Sequence, residues 1–201
     1  MIAEAVRRSA LSEYADRFAA LTAASGGELS IREVPFVSQV NLRADPKDEG
    51  LMKRFASSLG FALPVVPNTV GSREERRALW LGPDEWLIVG PERQQAVIEE
   101  ELRSALNGAF GSIVDISANR TVLELSGARA RDLLAHGVPI DLDVRSFGPG
   151  FCAQTLLAKA QVIIERRDGS AFHLYARTSF TGYVASWLLD AADPFMARGS
   201  E

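Results

Sequence analysis

The order in which the hydrophobic period changes along the chain constrains its fold more than any single residue does. From Leu29 onward, segments of period two alternate with segments of period 3.6, and the order strand, helix, strand is run through twice. That order is the split βαβ pattern. It predicts an α+β fold of two split βαβ (ferredoxin-like) halves, with mixed or antiparallel sheets and helices on their outer faces. The predicted organisation is an N-terminal helix (1–27), one α+β domain (28–195) made of two pseudo-repeated halves (28–118 and 119–195), and a C-terminal tail (196–201).

The segments follow from residue patterns. Over Ala3 to Ala24, Val6, Ala10, Tyr14, Phe18 and Leu21 recur at helical spacing, and Gly26 and Gly27 stop the helix. Phe36 to Arg43 alternates, with Phe36, Val40 and Leu42 against Ser38, Asn41 and Arg43. Asp45 and Pro46 open a helix carrying Leu51, Phe55 and Leu59, which Gly60 closes. After a connection through Pro64 and Pro67, Ala78 to Leu81 and Glu85 to Val89 are strands around the turn Gly82-Pro83-Asp84. Pro91 opens a helix with Val97, Ile98, Leu102 and Leu106 inward, and Ile113 to Ser117 is a strand. In the second half, Thr121 to Leu125 is a strand and Ala128 to Ala135 a helix that buries Leu133 and Leu134. Phe151 to Leu157, Gln161 to Glu165 and Phe172 to Ala176 are strands, the last two joined by an Asp-Gly turn at Asp168 and Gly169. Thr178 caps a final helix with Phe180, Val184, Trp187, Leu188 and Ala191 inward.

Composition removes several functional classes. The net charge of -4 opposes nucleic-acid binding, which needs a basic surface. No apolar run is long enough to cross a bilayer, and Met1 to Arg8 lacks the apolar core of a signal peptide. The single cysteine, Cys152, excludes an intrachain disulfide and points to a reducing cytosol. Two histidines and one cysteine cannot make a four-ligand structural zinc site from such residues. No phosphate loop, dinucleotide fingerprint or nucleophile elbow occurs. Cys152 reads as a small buried residue, His136 as a helix C-terminal cation, His173 as solvent-facing, and Glu74 to Arg77 as a solvated charge run.

The candidate contact residues are polar. Asn119 and Arg120 occupy the turn between Ser117 and Thr121, which places a guanidinium at the tip. They serve either turn chemistry or the anchoring of a carboxylate. Gln154 and Lys159 lie on or beside the Cys152 strand, and Asn41 and Arg43 on the polar side of an earlier one. These six residues are the possible partner or ligand contacts; no catalytic, cofactor or metal residue is expected. Trp80, Trp86 and Trp187 read mainly as core, with one available as an interface anchor.

Several stretches together resemble a known family: Gln39 to Arg43, Pro67 to Val70, Leu79 to Leu87, Asp115 to Gly127, Cys152 to Ala160 and Ser186 to Ala191. They resemble the gamma subunit of heterotetrameric sarcosine oxidase, distantly similar to the T-protein/TrmE type of folate domain. The resemblance implies a non-catalytic cytoplasmic subunit of an enzyme that oxidatively demethylates sarcosine to glycine and hands on a folate-linked carbon. It implies alpha, beta and delta subunits as partners, mainly alpha, with FAD, FMN, NAD and zinc in those other subunits. The competing reading is a stand-alone folate or small-acid binding domain with a pocket around Arg120 or Gln154.

Overall fold

The computed structural model describes residues 7–196. In chain order, α1 is Ala15–Ala24, β1 Ser30–Val34, β2 Ser38–Ala44, α2 Glu49–Leu59, β3 Val70–Arg73, β4 Arg76–Gly82 and β5 Glu85–Gly90. Then come α3 Gln95–Leu106, β6 Gly111–Asp115, β7 Arg120–Ser126, α4 Ala130–Ala135, β8 Cys152–Leu157, β9 Ala160–Arg166, β10 Phe172–Arg177 and α5 Thr181–Ala191.

The ten strands make two five-stranded antiparallel sheets, ordered β3-β4-β5-β2-β6 and β1-β7-β10-β9-β8. In the first, β5 is inserted between β2 and β4, the split βαβ arrangement, and β6 and β3 complete the edges. The second repeats this with β10 between β7 and β9, but its outer strand beside β7 is β1. That strand precedes the boundary at 118/119, so sheet membership does not follow the boundary. Both sheets are antiparallel, and the fold class is α+β with outer helices.

The layers run helix, sheet, sheet, helix. α2 and α3 cover one sheet with Leu51, Phe55, Leu59, Ile98 and Leu102. α1, α4 and α5 cover the other with Phe18, Leu21, Leu133, Leu134, Val184 and Leu188. A third apolar cluster lies between the sheets, from Leu79, Leu81, Leu87 and Val89 on one side to Val122, Cys152, Ile163 and Tyr175 on the other. Alternation explains this: Val122 enters the inter-sheet cluster while Leu123 enters the helix-facing one. Along one side the sheets are laced by main-chain bonds, Val70 N to Gly150 O at 2.8 Å and Cys152 N to Asn68 O at 2.8 Å. Gly127 lets β1 approach: it has φ 104, and a Cβ there would lie 2.2 Å from the Glu28 carbonyl oxygen.

Several expectations are corrected. The N-terminal helix begins at Ala15 rather than Ala3; residues 1–6 of that expectation lie outside the described residues. Ser9 Oγ and Leu11 N both donate to Glu33, which draws this stretch along β1 and buries Leu11. The cap of α2 is Asp48, whose Oδ1 accepts Leu51 N at 2.9 Å; Asp45 instead accepts Lys47 N. Phe36 sits in a turn at φ 59 rather than on a strand, and Val97 and Phe180 are exposed. Thr178 does not cap α5, because its hydroxyl donates to the Ala118 carbonyl at 2.9 Å. All but the first residue of the tail lies outside the described residues.

Two polar residues also change role. Arg77, read as part of a solvated run, reaches across the sheets to the fully buried Glu165, with Nε donating at 2.5 Å. Tyr175 Oη donates to the same carboxylate at 2.7 Å, and Arg167 lies 3.6 Å away. His173, read as solvent-facing, lies on this inner side, with Nε2 3.2 Å from Glu124 and Nδ1 3.9 Å from Glu165. Its alternation with Phe172 and Leu174 was correct, but the face opposite those residues meets another sheet.

Losing one partner of a buried pair leaves an uncompensated charge. Arg77→Met is expected to lose about 3–5 kcal/mol of stability in urea unfolding, whereas Arg145→Met, at an exposed pair, leaves the midpoint unchanged. Equal midpoints for Arg77→Met and wild type would show that Glu165 is satisfied without Arg77.

The histidine gives a pH prediction. Burial holds His173 below its ordinary 6.5, against the opposing pull of Glu165. Burial also works against ionising Glu124, but hydrogen bonds from Arg32 and His173 outweigh it and keep that carboxyl below the usual 4.5. With a depressed imidazole pKa the unfolded chain binds the extra proton, so this stability is full above 6.5 and declines as pH falls through it. The Glu124 contribution is lost lower, as pH falls below 4.5. His173→Gln therefore flattens the dependence of the urea midpoint between about pH 7 and pH 5; a slope matching wild type there would rule out titration of His173.

Candidate functional site

With one end of the inter-sheet space closed by Arg77 and Glu165, the polar chemistry at the other end depends on strand register. On β7, Glu124, Val122 and Arg120 share a face; on β10, His173, Tyr175 and Arg177 do. The two strands are antiparallel neighbours, with Glu124 opposite His173, Val122 opposite Tyr175 and Arg120 opposite Arg177. The inner face therefore runs from a carboxylate-rich end, through apolar residues, to a pair of arginines.

These arginines line a cavity of about 430 Å³ together with Gln154, Gln161, Leu156 and Tyr175. Gln154 bridges the sheets, its Nε2 donating to the Leu81 carbonyl at 2.8 Å. The phenol of Tyr175 is already committed to Glu165, and burial, then Glu165, pushes its pKa well above 10.0. Burial chiefly, and repulsion from Arg177 next, lower the pKa of Arg120, while Glu85 opposes the shift. A guanidinium so placed still stays charged.

The structure brings some candidate residues together and separates others. Arg120 and Gln154 share the cavity. Asn41 does not line it; its Nδ2 donates to Glu85 Oε1 at 2.8 Å. Arg43 lies one step further along β2 and holds both oxygens of Asp84 at 3.0 Å. Asn119 serves the turn through its main chain: its N–H donates to the Ile116 carbonyl at 2.8 Å, and its carbonyl accepts Thr178 N at 3.0 Å. Lys159 sits apart in the β8–β9 turn, its N–H 3.4 Å from Tyr183 Oη. The Ser117–Arg120 connection is not a turn with a guanidinium at its tip. It carries the chain from one sheet to the other, and Arg120 is the half-buried first residue of β7.

Arg177, Gln161 and Glu85 were missed. The signal for Arg177 was its two-residue spacing from Tyr175 and His173, which fixes its face but not its neighbour.

The remaining reactive groups are structural. The Cys152 thiol is pushed up to about 12, by burial first and Glu165 second, and lies 3.5 Å from the Trp80 carbonyl oxygen. Its thiolate fraction is then too small for a nucleophile near neutral pH. His136 Nδ1 sits 2.9 Å from the Asp132 carbonyl at the end of α4. Trp86 is fully buried and Trp187 packs against Gly137. Among the described residues, no group of three His, Cys, Asp or Glu side chains is placed to hold a metal ion. No described helix is long and apolar enough to cross a membrane.

The model of the sarcosine oxidase, gamma subunit family matches residues 43–194. The sarcosine oxidase subunit gamma of Corynebacterium sp. (strain P-1) is 38% identical over 194 residues, covering 96% of this chain and 93% of the relative. That of Arthrobacter sp is 37% identical over 191 residues, covering 94% and 92%. A chain of the heterotetrameric sarcosine oxidase from Corynebacterium sp. U-96, solved in complex with pyrrole 2-carboxylate, superposes with a TM-score of 0.87 at 33% identity over 97% of this chain and 99% of that one. Glycine cleavage system aminomethyltransferase T from Bartonella henselae shares the fold at a TM-score of 0.57 and 14% identity, over 81% of this chain and 45% of that one. The chain belongs to the sarcosine oxidase gamma subunit family.

Proposed function

We propose that this chain is a non-catalytic gamma subunit that assembles with the alpha, beta and delta subunits of a cytoplasmic sarcosine oxidase, packing mainly on alpha. The supporting observation is the match over nearly its full length to a chain of a heterotetrameric sarcosine oxidase. In this reading the chain supports assembly and helps enclose the folate-side cavity. FAD, FMN, NAD and zinc belong to the other subunits, as do oxidation of sarcosine to glycine and transfer of its carbon to tetrahydrofolate.

The surface is consistent with a subunit. Phe110, just before the edge strand β6, is 97% exposed, and Val114 on that strand is 47% exposed. A large aromatic side chain left in water beside an open strand edge is the kind of group an interface buries.

Co-expression of the tagged chain with the three other subunits is expected to yield a yellow complex active on sarcosine, in which two larger chains and one smaller one co-elute. Omitting this chain is expected to reduce recovery of the assembled complex. A colourless monomer from that co-expression would overturn the assembly reading, and sarcosine oxidation by the purified chain alone would overturn the non-catalytic one.

A further inference from the structure

The half-buried Arg76 and Arg77 pair with Glu101 and Glu165, the exposed Arg32 and Arg43 with Glu124 and Asp84, and the buried Arg166 donates to the Gly169 carbonyl and lies over the Phe172 ring. The half-buried Arg120 and the exposed Arg177 have neither an ion-pair partner nor an aromatic face among the described residues. Among the described residues, no carboxylate lies within the 4.0 Å that defines an ion pair with either guanidinium. Glu85 acts on Arg120 from farther away, and its carboxylate already accepts Asn41.

The two arginines face each other in register on neighbouring strands. Like charges directly opposite destabilise a sheet. Partial burial of Arg120 weakens the solvent screening that would relieve them. The cost falls at the wall of a cavity of about 430 Å³, large enough for a small organic acid. The guanidinium fork matches a planar carboxylate in bidentate geometry, and two forks can share one. Gln161 on the neighbouring strand adds a further polar side chain to the wall.

We propose that the mouth between Arg120 and Arg177 is a carboxylate-binding site. One carboxylate bridges the two guanidiniums, carried either by a free small acid or by an acidic side chain of a neighbouring subunit. The site is distinct from the buried cluster at the other end of the sheets, where Arg77 is saturated by Glu165.

The test is titration of the full chain with succinate, at ionic strength held constant with sodium chloride, by calorimetry and by the shift in Tm. Wild type is expected to bind saturably, and Arg177→Gln and Arg120→Gln to bind about tenfold or more weakly. Without succinate, Arg177→Gln is expected to melt no lower than wild type, because it removes a repulsion. A lower Tm for that variant would make the arginine a structural residue and overturn the proposal, as would succinate acting no differently from chloride on the wild-type chain.

The assembled complex separates the sources. Succinate binding retained in the complex identifies a free acid. Binding present in the isolated chain but absent from the complex identifies a neighbour's carboxylate, and the same two variants then weaken retention of this chain by a similar factor. A complex indifferent to both substitutions in both measurements overturns the site. Failure of the wild-type complex to form would count against the subunit reading alone, since titration of the isolated chain stands independently.

Discussion

The carboxylate of Glu165 has no exposure to water and is held from the opposite sheet by Arg77. Removing an ion of this size from water costs several kcal/mol even after relaxation, and only close partners offset it. Here they are Arg77 across the gap and the hydroxyl of Tyr175 on the next strand. Sliding one sheet over the other would strand the charge, so this contact fixes how β4 sits over β9. Apolar contact between Leu79, Leu87, Ile163 and Val122 holds the sheets together but specifies no such register.

Strand exchange between the halves reinforces that arrangement. β1 closes the sheet formed otherwise by the later part of the chain, and the next strand, β2, lies in the centre of the other sheet. The chain crosses back at Ser117–Arg120, where Ser117 Oγ accepts Gln39 N at 2.9 Å. Gln39 Nε2 in turn donates to the Arg120 carbonyl at 2.8 Å. Each half thus depends on a segment or a buried side chain of the other, and both crossings flank the entrance to β7. The guanidinium of Arg120 therefore extends from a backbone tied to both sheets.

What could be read from the sequence was local. Residue patterns located β2 and β4 to β10, and Gly60 and Gly169 closed a helix and a hairpin at positive φ. The doubled strand-helix-strand order carried the fold class, and shared motifs carried the family. β1 was missed because Arg32 and Glu33 interrupt any apolar signal, and its partner β7 lies far along the chain, Ser30 opposite Ser126. Arg77 was misread because a run of four charged residues looks solvated until a second sheet is laid over its last member. The site was half legible for the same reason: Arg120 stood out as an arginine beside a turn, but Arg177 gains meaning only through the register that sets them opposite.

A cationic mouth on a chain of net charge -4 is a matter of range. Net charge describes a field that salt screens over about 8–10 Å, whereas a binding group responds to neighbours within a few ångströms. Glu85, the acid that acts on Arg120 from a distance, is already engaged by Asn41 on β2. In the isolated chain water can solvate the exposed parts of the Arg120 and Arg177 guanidiniums. A partner that covered the mouth without an anion would strip that water from two like charges and incur the penalty that Arg77 prevents at Glu165. Closure of this surface and arrival of a carboxylate are thus thermodynamically coupled: an anion in the mouth favours covering it, and covering it strengthens the hold on the anion.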